Sequence, residues 1–298
     1  MSHVAEEIIT QPQLWRRAAA LHADQPKTLP PAGTRVAIAG AGTSLYMAEA
    51  FATLRERSGQ GETDAFTPSE ALPRRYDAVI ALSRSGTTTE VLRYLADLPT
   101  DTRKLAITGT PGSPILDLVD DAVVLDFADE ISVVQTRFAT TALAFLRAHL
   151  GDAIEPLAEA AETVVAAPLP LDPSGVRQFV FLGTGFGAAI AREAALKLRE
   201  AAGAWTEAYP ATEFRHGPIS AVESESVVWT LNDVPRDMQE VIAATGARFI
   251  DEHRDPMVEL IMVQRTAVQL ATLRGRDPDH PRHLSRSVIL TDGGGGEP

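Results

Sequence analysis

Three times in this chain an unbroken apolar run stops at glycine, serine or threonine and gives way to a helix-forming stretch. Residues 35–40 (RVAIAG) lead into Gly42-Thr43-Ser44, residues 77–82 (DAVIAL) into Ser83-Arg84-Ser85-Gly86-Thr87-Thr88, and residues 177–183 (RQFVFLG) into Thr184-Gly185-Phe186-Gly187. A strand whose consecutive residues are all apolar buries both faces, as in a parallel sheet covered by helices on two sides; an alternating strand would leave one face in water. Residues 104–108 and 121–126 add two β-type runs, and helices are predicted over 6–21, 45–55, the stretch after Thr88 through 98, and 136–150. From 151 to 173 the chain turns Ala- and Pro-rich. The pattern then restarts, with a helix over 188–202, strands over 225–231 and 247–250, and a last helix over 255–274. We therefore expect an α/β fold of two tandem, doubly wound parallel-sheet domains, a weak internal duplication. The expected organisation is an N-terminal helix and linker over 1–34, a first domain over 35–173, a second over 174–292, and a disordered tail over 293–298.

Charge and composition exclude several functions. Forty acids against 27 bases give a formal charge of −13, which repels nucleic acid and acidic membranes, so an anionic ligand must be held by a local device. No apolar run approaches the ~18 residues of a membrane span, and the N-terminus carries early acids without an apolar signal core, so a cytoplasmic protein is expected. With no cysteine and no paired histidines on one helix turn, no metal is expected. There is no G-x-x-x-x-G-K-[ST], and residues 183–188 (GTGFGA) fit only a loose G-x-G-x-x-A that close strand-to-helix packing explains equally well. No cofactor is expected.

Two of the loops are rich in hydroxyls and each directly precedes a helix. Free N–H groups and the positive dipole at a helix start bind anions, and Ser/Thr hydroxyls add donors, although the same residues are also ordinary helix caps. Gly42, Thr43 and Ser44, and above all Ser83, Arg84, Ser85 and Thr88, make a candidate anion cradle, to which Arg84 would add a full charge. In the helix 188–202, Glu193, Lys197 and Glu200 fall at i, i+4 and i+7 on one face. They read as a surface salt-bridge stripe or, because the helix is Ala- and Leu-rich and only three of the 27 bases are lysine, as a partly dry site. There Lys197 would be tuned for proton transfer and Glu200 would act as a base. His216, set in a Gly-Pro turn, is the one histidine with a distinctive context, structural or catalytic.

Taken together, Gly42-Thr43-Ser44, the 83–88 loop, Glu193-x3-Lys197-x2-Glu200, Glu207-Ala208-Tyr209 with Glu213-x2-His216-Gly217-Pro218, and the 279–287 stretch (DHPRHLSRS) resemble the SIS (sugar isomerase) family. The closest likeness is to the isomerase half of glucosamine-6-phosphate synthase and to the stand-alone sugar isomerase, deaminase and deglycase group. The resemblance implies two flavodoxin-like SIS domains in a homodimer, with hydroxyl loops holding a sugar phosphate. It also implies that Glu200 moves a proton between C1 and C2, that Lys197 assists at the oxygens, that Glu193 supports them, and that His216 opens the sugar ring from the partner subunit. Gln135 and Arg286 join the residues expected against the substrate. Arg286 stands where the synthase has an imine-forming lysine, and no glutaminase domain is expected beside it. Both departures disfavour amination and leave aldose–ketose isomerisation of a hexose with a C6 phosphate or sulfonate. Deamination of an amino sugar, deglycation of a sugar–amine adduct, and non-catalytic phosphosugar sensing are the alternatives.

Overall fold

In the computed structural model, which describes residues 2–290, the chain opens with two helices, α1 (His3–Ile9) and α2 (Gln11–Asp24). The first α/β unit follows: β1 (Val36–Gly40), α3 (Thr43–Arg57), β2 (Thr63–Phe66), β3 (Ala78–Leu82), α4 (Thr89–Asp97), β4 (Arg103–Thr108), β5 (Asp121–Val124), α5 (Arg137–His149) and α6 (Ile154–Ala166). The second contains β6 (Gln178–Gly183), α7 (Phe186–Ala202), β7 (Trp205–Pro210), β8 (Ser226–Thr230), α8 (Met238–Ala243), β9 (Arg248–Ile250) and α9 (Pro256–Leu273). Both sheets are wholly parallel, in the orders β2-β1-β3-β4-β5 and β7-β6-β8-β9. The first is the doubly wound, flavodoxin-like order. Every residue of β1, β3, β6 and β8 is buried, as unbroken apolar runs require.

The duplication is visible in the backbone. Helices α3 and α7 both start after a glycine in a conformation that side chains rarely adopt, Gly42 at φ 57°, ψ −126° and Gly185 at φ 56°, ψ −128°. Each strand ends on a glycine pressed against the following helix: a Cβ on Gly40 would lie 2.7 Å from the Ser44 carbonyl carbon, and one on Gly183 only 2.2 Å from that of Gly187. Close packing is thus the reason for these glycines. The second copy of the loop is closed by Asn232, which exchanges hydrogen bonds with the Thr184 backbone, both at 2.8 Å. The loop of the first copy stays open.

The structure differs from the sequence-based expectation in five places. The 6–21 helix is two helices, separated at Thr10, and α6 and α8 were not expected. Helix α6 lies inside the Ala/Pro-rich stretch; its Pro156 sits in the first turn, where a missing N–H leaves no helical hydrogen bond unmade. Strands β2 and β7 are also absent from the expectation. Each is an edge strand of its sheet, half-exposed, and so lacks the continuous apolar run of a central strand. The 293–298 tail lies outside the described residues. No helix among the described residues is long and apolar enough to cross a membrane.

Helix α7 is the pivot between the units. It packs on α3, α9, β6 and β7, and the pairs Thr43–Lys197 and Glu49–Arg192 show that α3 and α7 run antiparallel. The start of α3 is thereby set beside the C-terminal half of α7.

Candidate active site

This crossing explains why the Glu-Lys-Glu face is no surface stripe. Glu193 and Lys197 each expose 1% of their side chains, and Glu200, one turn nearer the helix end, exposes 19%. The Lys197 ammonium donates to Thr43 Oγ1 at 2.9 Å and to Glu200 Oε2 at 2.5 Å, and lies 3.3 Å from Glu193 Oε1. The Thr43 hydroxyl donates in turn to Glu193 Oε1 at 3.3 Å. Burial, reinforced by the nearby Glu200 charge and opposed by Lys197, pushes the Glu193 carboxyl up to about 7. Burial also acts to lower Lys197, but the charges of Glu193 and Glu200 outweigh it and hold the amine above the ordinary lysine range. The sequence suggests a lysine tuned for proton transfer; in the structure the amine is held in its charged form. Its three N–H donors all face partners within the chain, and Lys197 is a fixed cation that orients Glu200.

Only Glu200 of the three reaches open space. It lines a cavity of about 190 Å³ whose wall includes Gly42, Thr43, Thr88, Gln135, Arg286 and Ser287. The cavity thus collects expected residues from five separate stretches of sequence. Thr43 and Ser44 form the first turn of α3 rather than a loop, so their N–H groups stand at the positive end of the helix. The 83–88 loop is held by its own hydroxyls: Ser83 Oγ accepts from the Gly86 N–H at 3.2 Å, and Ser85 Oγ accepts from the Thr87 N–H at 3.2 Å. Ser287 lies against this loop, its Oγ 3.2 Å from that of Ser85 and 2.9 Å from that of Thr87. The Thr89 N–H bonds to the Val288 carbonyl, so the C-terminal segment borders the cradle.

Arg84 does not supply the expected charge to the cradle. It is buried, and donates to the carbonyls of Ser132 at 3.0 Å, Val133 at 3.3 Å and Arg286 at 2.8 Å, with Glu130 3.7 Å away. Its work is to hold the 130–134 loop and the C-terminal segment beside the cavity. Arg286 is likewise engaged within the chain, donating to the Glu130 carbonyl and to Asp129 Oδ1. His216 is exposed and lines neither cavity that touches Glu200 in the same chain.

Sequence reasoning missed three acids. Glu7 of α1 is buried and accepts from the Ile131 N–H at 2.6 Å and from the Ser132 hydroxyl. Glu130 accepts from the Thr136 hydroxyl at 3.0 Å and the Arg137 N–H at 2.8 Å. Glu90 lines the cavity, with one buried oxygen that has no hydrogen-bond partner among the described residues. Its place just after the hydroxyl loop was the available signal for Glu90; for Glu7, 124 residues from Ile131, the sequence holds none.

No family model matches the chain. It is 31% identical over 266 residues to the glutamine–fructose-6-phosphate aminotransferase [isomerizing] of Xylella fastidiosa strain Temecula1, covering 71% of this chain and 44% of that protein. It is 27% identical over 295 residues to the enzyme of the same name from Sulfurisphaera tokodaii, covering 86% and 50%. The chain spans about half the length of the curated relatives it matches. Among solved structures it superposes on a glucosamine-6-phosphate deaminase from Thermotoga maritima with a TM-score of 0.84 at 24% identity, over 97% of this chain and 100% of that one. A tagatose-6-phosphate ketose/aldose isomerase from Escherichia coli gives 0.75 at 19% identity, over 97% and 96%. The chain therefore has the two-sheet α/β fold of these phosphosugar enzymes, and it is related in sequence to the aminotransferases over about half their length.

Proposed function

We propose that the protein is a cytoplasmic aldose–ketose isomerase acting on a hexose with an anionic group at C6, phosphate or sulfonate. The observation that carries the proposal is the placement of Glu200, a carboxylate oriented by a buried ammonium at 2.5 Å and opening onto a cavity edged by hydroxyls and a helix start. In this reading the C6 anion sits among Gly42, Thr43, Ser44, Ser83, Ser85 and Thr88, with Gln135 and Arg286 closing the wall. His216 of a second copy in a homodimer opens the ring. Glu200 then takes the proton from C2 of the aldose, and the electron pair forms the C1–C2 double bond of an enediol as O1 gains a proton; O2 next gives up its proton as the C2 carbonyl forms, and the C1–C2 electron pair takes the proton back from Glu200 at C1 of the ketose. Lys197 holds Glu200 aimed at the substrate, and Glu193 balances Lys197 without meeting substrate.

A second reading, deamination of a 2-amino-2-deoxyhexose 6-phosphate, uses the same proton transfer. It is favoured by the likeness to the deaminase structure and by an arginine, unable to form an imine, at position 286. The test is turnover of hexose 6-phosphates, their 2-amino forms and their C6-sulfonate analogues, reading ketose and ammonia separately. Isomerisation without ammonia is expected. Ammonia from the amino sugar alone selects deamination, and tight binding of every candidate without turnover replaces catalysis by sensing.

A further inference from the structure

Glu90, in the first turn of α4, is the one charged residue on the wall of the 190 Å³ cavity that neither anion binding nor proton transfer employs. An acid in a first helical turn is ordinarily explained by the helix dipole or by a bond to a free N–H there. Glu90 makes no such bond. One of its carboxylate oxygens is buried and has no hydrogen-bond partner among the described residues. Gln135 repeats the pattern on the same wall, its Oε1 buried and equally unmatched. An ionised carboxylate can only accept hydrogen bonds, as can an amide oxygen, and an acceptor left buried and unmet is costly. Side-chain donors nearby are committed within the chain: Thr43 donates to Glu193, and Arg286 to Asp129 and the Glu130 carbonyl. The cavity thus presents acceptors that the described residues do not match, so a ligand that satisfies them must bring O–H or N–H groups of its own. A phosphate or sulfonate brings none, and the Glu90 charge opposes it. Although only two residues past Thr88, Glu90 therefore serves a different part of the ligand from the C6 anion.

We propose that Glu90 is a specificity-determining residue, which accepts a hydrogen bond from the C4 hydroxyl of the sugar. The inference rests on the reading of the cavity as a hexose 6-phosphate site, with C6 at the 83–88 loop and C1–C2 at Glu200. Glu90 follows that loop directly, so it meets the sugar nearer C6 than C2. The oxygen at C5 closes the pyranose ring and then has no hydrogen to give. C4 carries the first hydroxyl from that end that is a donor in both the ring and the open chain. A site built to hydrogen-bond a hydroxyl discriminates strongly against an analogue without it, because its buried acceptor is then left unpaired.

The test measures, by calorimetry on the whole chain, the affinities of glucose 6-phosphate, its C4 epimer galactose 6-phosphate, and 4-deoxyglucose 6-phosphate, which lacks the hydroxyl of both. One epimer is expected to bind at least tenfold more tightly than the deoxy sugar, about the effect of one hydrogen bond to a charged acceptor. That ratio should fall to about one in Glu90→Ala, and Glu90→Gln, which keeps an amide oxygen as acceptor, should retain only part of it. The deoxy sugar should bind Glu90→Ala at least as well as the unaltered protein, because the charge opposing its phosphate is gone; a residue that merely held the helix would weaken all three ligands alike. Equal binding of the three sugars by the unaltered protein overturns the assignment while leaving the phosphosugar reading in place. A ratio that survives Glu90→Ala overturns it, as does one untouched in Glu90→Gln should the alanine variant not fold, or an equal loss of affinity for all three. If none of the three binds, the phosphosugar reading fails and takes the assignment with it.

Discussion

Replacing Lys197 by methionine removes a buried cation and leaves the buried Glu193 carboxylate without its counterion, while Glu200 still faces its cavity. Breaking a buried pair by deleting one partner typically destabilises by about 3–5 kcal/mol, because the remaining charge stays desolvated. Against a total stability of roughly 5–15 kcal/mol for ordinary domains, such a loss is easily measured. Its dependence on pH is the sharper signature. Burial already raises Glu193 from 4.5 to about 7 with the lysine in place. Between those values the folded protein holds a proton that the unfolded chain has released, so this group's contribution to stability falls as pH rises, by something on the order of 3 kcal/mol. Without Lys197 the folded-state value climbs further, so the variant strands the most charge at pH 8.5. At pH 6 Glu193 is already largely neutral in both proteins, and the loss should shrink to about 1 kcal/mol, the worth of the remaining contact to Glu200. Urea denaturation of Lys197→Met and the unaltered protein at the two pH values measures the difference. Lys197→Met/Glu193→Gln, which neutralises the stranded acid, should recover most of the stability at pH 8.5. An equal loss at both pH values, or no recovery in the double variant, would refute the account of this network.

Two further outcomes follow from the site. Ser83→Ala/Ser85→Ala removes two hydroxyls from the cradle and should raise KM for the sugar phosphate by at least about tenfold to a hundredfold, the effect of losing even one charge-assisted hydrogen bond, with kcat much less affected; an unchanged KM would put the C6 anion elsewhere. If His216 acts across a homodimer interface, mixing His216→Ala with Glu200→Ala should restore part of the activity in the heterodimer, and absence of recovery after proven subunit exchange would confine each site to one chain.

Helical spacing alone put Glu193, Lys197 and Glu200 on one face, and unbroken apolar strands alone required a parallel sheet with covered faces. Both rules are local, and both were legible. What surrounds the Glu-Lys-Glu face was not, because its burial depends on α3 crossing α7 and presenting Thr43 from 154 residues away. Arg84 was misread for the same reason. A basic residue in a hydroxyl-rich loop looks like a ligand for anions until the Ser132 and Val133 carbonyls and Glu130 are seen to enclose it. The edge strands β2 and β7 escaped because one exposed flank removes the pattern that identifies their neighbours.

The central claim is that Glu200 carries a proton between C1 and C2, and exchange with solvent in D₂O tests it most directly. With a hexose 6-phosphate that the protein isomerises, the ketose should acquire deuterium at C1, seen by NMR. Glu200→Gln keeps the size and most hydrogen bonds of the side chain but removes the base. It should slow both isomerisation and C1 exchange by about 10²–10⁴, the usual contribution of a positioned base, while the affinity for the sugar phosphate stays within a few-fold. A Glu200→Gln protein that exchanges the C1 hydrogen at the unaltered rate would contradict the claim.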